Sequence, residues 1–148
     1  MSNTNAPAAT TLVLRRKYKV SPKVLFRAWT TPASAQRFLS PDDVKCTDVK
    51  MDVRVGGRYE ITMLMPDGER MLVGGVYREV SPERLSMTWR WTEDDPSQER
   101  DTLLSLDFHD LGGETELVLT HENLASVESR DRHEHGWTSI MENLTNVA

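Results

Sequence analysis

The chain has 148 residues, of which 38% are hydrophobic and 28% charged, and its formal net charge is −5. These values suit one soluble globular domain with a single core and exclude a disordered or membrane-embedded chain. The acidic balance argues against a nucleic-acid partner, because neutralising phosphates needs a basic face, and no apolar run approaches the roughly 18 residues of a membrane span.

The start, MSNTNAPAATT, has no basic region leading into an apolar one, so no signal peptide is expected. Residues 1–10 read as a flexible tail and residues 11–148 as one domain. The stretch TLVLRRKYKV alternates, which predicts a first strand with Leu12, Leu14, Arg16 and Tyr18 on one face. Its basic run, Arg15 to Lys17, reads as a solvated edge. Ser21-Pro22 offers a helix cap and a first helical position, and Val24, Leu25, Ala28 and Trp29 follow at helical spacing. Thr31-Pro32 ends that helix, and ASAQRFL forms a second short one before Ser40-Pro41-Asp42 turns the chain.

From Val44 to His121 the segments KCTDVKMDV, GGRYEITMLM, ERMLVGGVYREV, RLSMTWRWT, DTLLSLDFHD and ETELVLTH are separated by short turns. Six such strands in succession predict an antiparallel meander. The lone Cys46 has no intramolecular disulfide partner, reads as a small buried hydrophobe, and fits a reducing cytoplasm. Alternation then assigns faces. Leu85, Met87, Trp89 and Trp91 are expected inside, with Ser86, Thr88, Arg90 and Thr92 outside. Leu104, Leu106 and Phe108 point in and His109 out; Tyr59, Ile61, Met63 and Met65 share a face, as do Leu117, Leu119 and His121. His121 ends its stripe and is expected at the rim.

After Ser126 the alternation gives way to helical spacing, with Trp137, Ile140, Met141, Leu144 and Ala148 on one side. In HEHGWTSIMENL, His133 and His135 lie about 200° apart around the axis and cannot bind one metal. His133 joins the apolar face and His135 the side of Ser139 and Glu142. Gly136 costs about 1 kcal/mol in a helix, and close approach of helix to sheet is its expected reason. The order of elements predicts an α+β fold: a curved antiparallel sheet wrapped around a long C-terminal helix, with two short helices after the first strand.

Several runs in order carry a resemblance: VSPKVLFRAWTTPASAQRFLSP, DVRVGGRYEITMLMPDGERMLVGGVYREVSPERLSMTWRW, GGETELVLTHENL and HEHGWTSIMENL. Together they resemble the branch of the START-like, helix-grip superfamily that contains the homologues of the heat-shock protein 90 ATPase activator. The resemblance spans about Leu12 to Leu144. It implies a cavity between sheet and helix, in a superfamily of binders of lipids, steroids and other apolar ligands and of polyketide aromatase/cyclases. Two departures stand out. Phe38-Leu39-Ser40-Pro41 replaces the tryptophan pair and Gly-Pro usual at that place, and the chain stops at Ala148, where relatives commonly continue the helix.

The leading expectation is a binding module for a small, mostly apolar or amphipathic ligand. Its site would be lined by Tyr59, Ile61, Met63, Met87, Trp89, Trp91, Leu104, Leu106, Phe108, Leu117, Leu119 and His121 of the sheet. His133, Trp137, Ile140 and Met141 of the helix would close it. An enzyme of cyclase, dehydratase or hydrolase type in the same cavity is the alternative, with His121 and His133 as its acid–base candidates. No nucleophile elbow, HExxH motif or phosphate-binding glycine loop is present, and no metal or cofactor is expected. A chaperone partner is not expected on the strength of one domain; pairing of two copies through a sheet edge or helix is compatible with the sequence but unreadable from it.

Overall fold

The computed structural model describes residues 10–147. Among them are strands β1 (Leu12–Tyr18), β2 (Lys45–Met51), β3 (Arg58–Leu64), β4 (Arg70–Val80), β5 (Arg84–Trp91), β6 (Thr102–Asp110) and β7 (Thr115–Glu122). The helices are α1 (Pro22–Thr30), α2 (Pro32–Phe38) and α3 (Val127–Leu144), with one 3-10 turn at Pro96–Gln98. The expected tail lies outside the described residues except for Thr10, whose carbonyl accepts from the Leu124 amide. Ala148 also lies outside them.

The seven strands form one antiparallel sheet in the order β1-β7-β6-β5-β4-β3-β2. From β2 to β7 each strand pairs with its successor, as short turns require. Gly68 and Gly112 adopt φ of +89° and +82° in two of those turns, a region only glycine enters at no steric cost. The exception to this order is β1, which pairs with β7, Leu12 lying opposite His121 and Tyr18 opposite Thr115. Helices α1 and α2 carry the chain from that edge of the sheet to the other.

The ladder between β4 and β5 is irregular. An ideal Cβ on Gly75 would lie 2.0 Å from the Thr88 carbonyl oxygen, so only glycine lets the two backbones approach so closely. Tyr59, opposite Gly75 on β3, reaches past it to donate its hydroxyl hydrogen to that carbonyl. The Val76 amide donates to Thr88 Oγ1 at 2.8 Å instead of to the strand ladder, and a register shift follows between Tyr77 and Glu79.

The trough is filled by α3. Ser126 caps it, its hydroxyl accepting from the Ser129 amide at 3.1 Å, and Trp137, Ile140, Met141 and Leu144 are buried against the sheet. The Tyr18 hydroxyl donates to the Met141 carbonyl at 2.7 Å, one of the helix's last four carbonyls, which have no partner within the helix. Asn143 Nδ2 donates to the Ser40 carbonyl at 2.9 Å and so ties α3 to the loop after α2.

Some positions depart from the alternation. Val24 is 38% exposed while Leu25, Ala28 and Trp29 are buried, because the nine-residue α1 buries only a narrow face. Ser86 and Thr88 sit on the outer face yet are buried. Their short side chains are hydrogen-bonded at the sheet surface, Ser86 to Glu79 and Thr88 to the Val76 amide. His121 is not at the rim: it is 0% exposed, because β1 pairs alongside it and α3 crosses above.

Candidate functional site

A cleft of about 290 Å³ opens between the sheet and α3 from Ser129 to Ile140. Strands β3 to β5, helix α3 and the loop after α2 build its walls. Met63 of β3 and Met65 just beyond its end share a face by alternation, and the Pro66-Asp67-Gly68 turn brings Met71 opposite Met63. Trp89 and Trp91 alternate inward from β5, with Glu93 beyond them at the mouth. On α3, Ser129, Arg132, His133, Gly136, Trp137 and Ile140 recur at helical spacing and face the strands, and Pro41 and Val44 close the remaining side.

Two tryptophan–histidine pairs form the polar seam beside this cleft. The Trp137 indole N–H donates to His121 Nδ1 at 3.0 Å, so that nitrogen carries no proton. His121 Nε2 therefore bears the hydrogen and donates to Thr102 Oγ1 at 2.7 Å, and the Thr102 hydroxyl donates to the Trp89 carbonyl at 2.6 Å. By the same logic, the Trp91 indole N–H donates to His133 Nε2 at 3.0 Å, and His133 Nδ1–H donates to the Ser129 carbonyl at 2.8 Å. The two imidazoles meet edge to face with centroids 5.0 Å apart.

Burial is what sets their charge. It pushes His121 down to about 3, helped by the neighbouring His133, and it lowers His133 as well, against the pull of the Ser129 carbonyl. Both rings are neutral near pH 7, and each has both nitrogens engaged. A general acid or base at either would first have to release a partner. His135 points elsewhere, 78% exposed and 2.6 Å from an Asp42 oxygen, while the Asp42 amide donates to Ser139 Oγ at 2.9 Å.

Of the residues expected to contact a ligand, the structure brings Met63, Trp89, Trp91, His133, Trp137 and Ile140 to the cleft. Tyr59, Ile61, Met87, Leu104, Leu106, Phe108, Leu117, Leu119, His121 and Met141 are buried without lining it. Periodicity reports which face a residue occupies, and one face here serves both core and cleft. Pro41, Val44, Met65, Met71, Glu93, Ser129, Arg132 and Gly136 were missed. Hairpin register carried a signal for Met71, and helical spacing from His133 carried one for Ser129, Arg132 and Gly136. Gly136 does not mark close packing on the sheet: a Cβ there would meet only Pro41 Cβ, at 4.0 Å.

A second concavity, of about 900 Å³, lies on the outer face of β3 to β5. Charged side chains dominate it and several are already paired, Arg90 with Glu99 at 3.1 Å and with Asp101 at 3.2 Å. The smaller cleft is the one that combines apolar walls with a few polar groups.

A seven-stranded curved antiparallel sheet gripping a long C-terminal helix, with two short helices after β1, is the START-like, helix-grip fold. The family described as Activator of Hsp90 ATPase homolog 1-like protein matches residues 19–148, and the chain belongs to it. Solved structures agree. A protein from Chromobacterium violaceum is 26% identical with a TM-score of 0.85, the match covering 94% of this chain and 96% of that one. The AHSA1 protein from Silicibacter pomeroyi is 27% identical with a TM-score of 0.78, over 92% and 95%. An AHSA1-like protein from Aeromonas hydrophila, 22% identical with a TM-score of 0.75 over 93% and 90%, shares the fold. Among curated proteins, none matches.

Proposed function

We propose that the chain is a binding module for a small, mostly apolar or amphipathic molecule held in the cleft between the sheet and α3. One observation carries the reading: three methionines and three tryptophans converge on a concavity of about 290 Å³, at the lower end of the size range of small-molecule sites. Methionine adapts to irregular shapes, and indole rings supply broad contact area at low entropic cost. Arg132 and Glu93 at the mouth leave room for a polar end on the ligand. Acid–base catalysis is the weaker reading, because His121 and His133 are neutral and bonded at both nitrogens.

We further read residues 11–148 as one domain that works in a reducing cytoplasm. Cys46 supports this, being buried with its thiol pushed up to about 11 by desolvation, which keeps it unreactive. No helix among the described residues is long and apolar enough to cross a membrane.

Native mass spectrometry of the chain purified from cells is expected to show a retained small molecule, displaced by the dye 1-anilinonaphthalene-8-sulfonate. A chain that carries nothing and leaves the fluorescence of that dye unchanged overturns the binding reading.

A further inference from the structure

Helix α3 is anchored unevenly. Its second half buries Trp137, Ile140, Met141 and Leu144, and Tyr18 and Asn143 tie it to β1 and to the loop after α2. From Val127 to Gly136 the one buried residue is Ser129, small and polar, and Val127 is 45% exposed. Two polar side-chain contacts hold this first half. The Trp91 indole N–H donates to His133 Nε2 at 3.0 Å, the only hydrogen bond among the described residues that joins α3 to strands β3 to β5. The other, His135 to Asp42, lies in solvent, where such pairs contribute little.

Gly136 stands where the two halves meet. Nothing in the packing requires glycine there, since a Cβ would meet only Pro41 Cβ at 4.0 Å. What glycine supplies in a helix interior is a backbone that leaves helical geometry more easily than any other.

We infer that the first half of α3, Val127 to His135, is a lid over the cleft that bends at Gly136, is clasped shut by the Trp91–His133 hydrogen bond, and opens to pass the ligand. Ser129, Arg132 and His133 of the cleft lining all lie on this half, so bending it widens the cleft. The opposite wall cannot yield in the same way, because β3, β4 and β5 are held in one sheet by their ladders. At about 290 Å³ the closed cleft is at the lower end of small-molecule sites, and a ligand of ordinary size needs its walls to part.

The two tryptophan–histidine bonds are suited to opposite tasks. Trp137 and His121 are 2% and 0% exposed, so parting them would strand a donor and an acceptor in the core. Trp91 and His133 are half-buried, and water can replace each partner as the lid lifts. Opening therefore spares the anchored half of the helix. Leu124, buried just ahead of the helix, limits the motion to a bend between Ser126 and Gly136.

The inference rests on the binding reading, and its test separates the two. Entry and exit of the dye 1-anilinonaphthalene-8-sulfonate are followed by stopped flow on the full chain. Trp91→Phe or His133→Leu removes the clasp and should raise the entry rate about fivefold, with the double variant no faster than either single one. Entry is the decisive readout, since a wall that merely lost contact area would hasten exit alone. Gly136→Ala stiffens the helix and should slow entry about fivefold. If the clasp variants do not fold, Gly136→Ala and amide exchange of the wild type carry the test. Amides from Arg132 to His135 are expected to exchange faster than those from Ile140 to Asn143, and bound dye to slow them. Dye that binds at the same rate in every variant, single effects that multiply in the double variant, or even exchange along the helix each overturn the lid and leave the binding module intact. If the dye does not bind the chain, the binding reading fails and the lid with it.

Discussion

Trp91 and Trp137 each donate to an imidazole nitrogen, and that fixes which proton each histidine can carry. An imidazolium has two N–H groups and no acceptor, so protonating either ring turns its tryptophan contact into donor against donor. His121 stays neutral in the fold down to about 3, while in the unfolded chain it takes a proton near 6.5. Between those values the unfolded chain binds the additional proton. Stability is therefore full above about pH 6.5 and declines as pH falls through that value toward about 3, roughly 2 kcal/mol being lost by about pH 5 from this residue alone. Urea unfolding of the wild type at pH 7 and pH 5 should show that loss. His121→Gln should be less stable at pH 7 by about 2 kcal/mol, since Trp137 and Thr102 lose a partner, and it should lose less between the two pH values. An equal loss in both proteins would place the acid sensitivity elsewhere. The stripe Leu117, Leu119, His121 made the ring's inward direction legible in the sequence. Its depth was not, because depth is set by the neighbouring strand β1, more than 100 residues away in the chain.

Two glycines show where element-level reading works and where it stops. Both Gly75 and Gly136 interrupt a regular element and invite the same explanation, a close approach by another backbone. For Gly75 that holds, since its Cβ would collide with the Thr88 carbonyl. For Gly136 it fails, and the glycine faces the cleft and Pro41 instead. Opposite outcomes are expected on substitution. Gly136→Ala should stabilise the chain by about 1 kcal/mol, read as a thermal midpoint raised by a few degrees, because alanine is the better helix former and the Cβ has room. Gly75→Ala should cost roughly 3 kcal/mol or more, since the β4–β5 bend must open. Sensitivity of the reverse order in a melting comparison would mean that Gly136 has a packing role after all. The strands and their turns were legible because each alternates over its own length and each turn carries its own residues. Where the interior is filled and where it is hollow was not, since Met87 and Met63 look alike in sequence and only one lines the cleft.

Across the whole molecule, the start and the end of the fold are joined by the β1–β7 ladder and by one side-chain contact from β1 to α3. The meander from β2 to β7 is local in sequence, whereas β1 joins at the far edge of the sheet beside β7, which periodicity could not show. Tyr18, the last residue of β1, is buried and hydrogen-bonded to the Met141 carbonyl, so it couples the edge strand to the C-terminal end of α3. Burial raises the pKa of its hydroxyl above the usual tyrosine value, so it is a donor at neutral pH. Tyr18→Phe keeps the ring and removes only that donor, leaving a helix-terminal carbonyl without its partner in a buried setting. The expected cost is about 1 kcal/mol in global unfolding. Its distribution is the sharper test. Amide exchange should accelerate most from Asn143 to Val147, where turns at the end of α3 depend on the same terminus, and least in β3 to β5, which do not touch it. Acceleration spread evenly over the sheet would show that Tyr18 acts as one more core residue rather than as the tie between the first strand and the last helix.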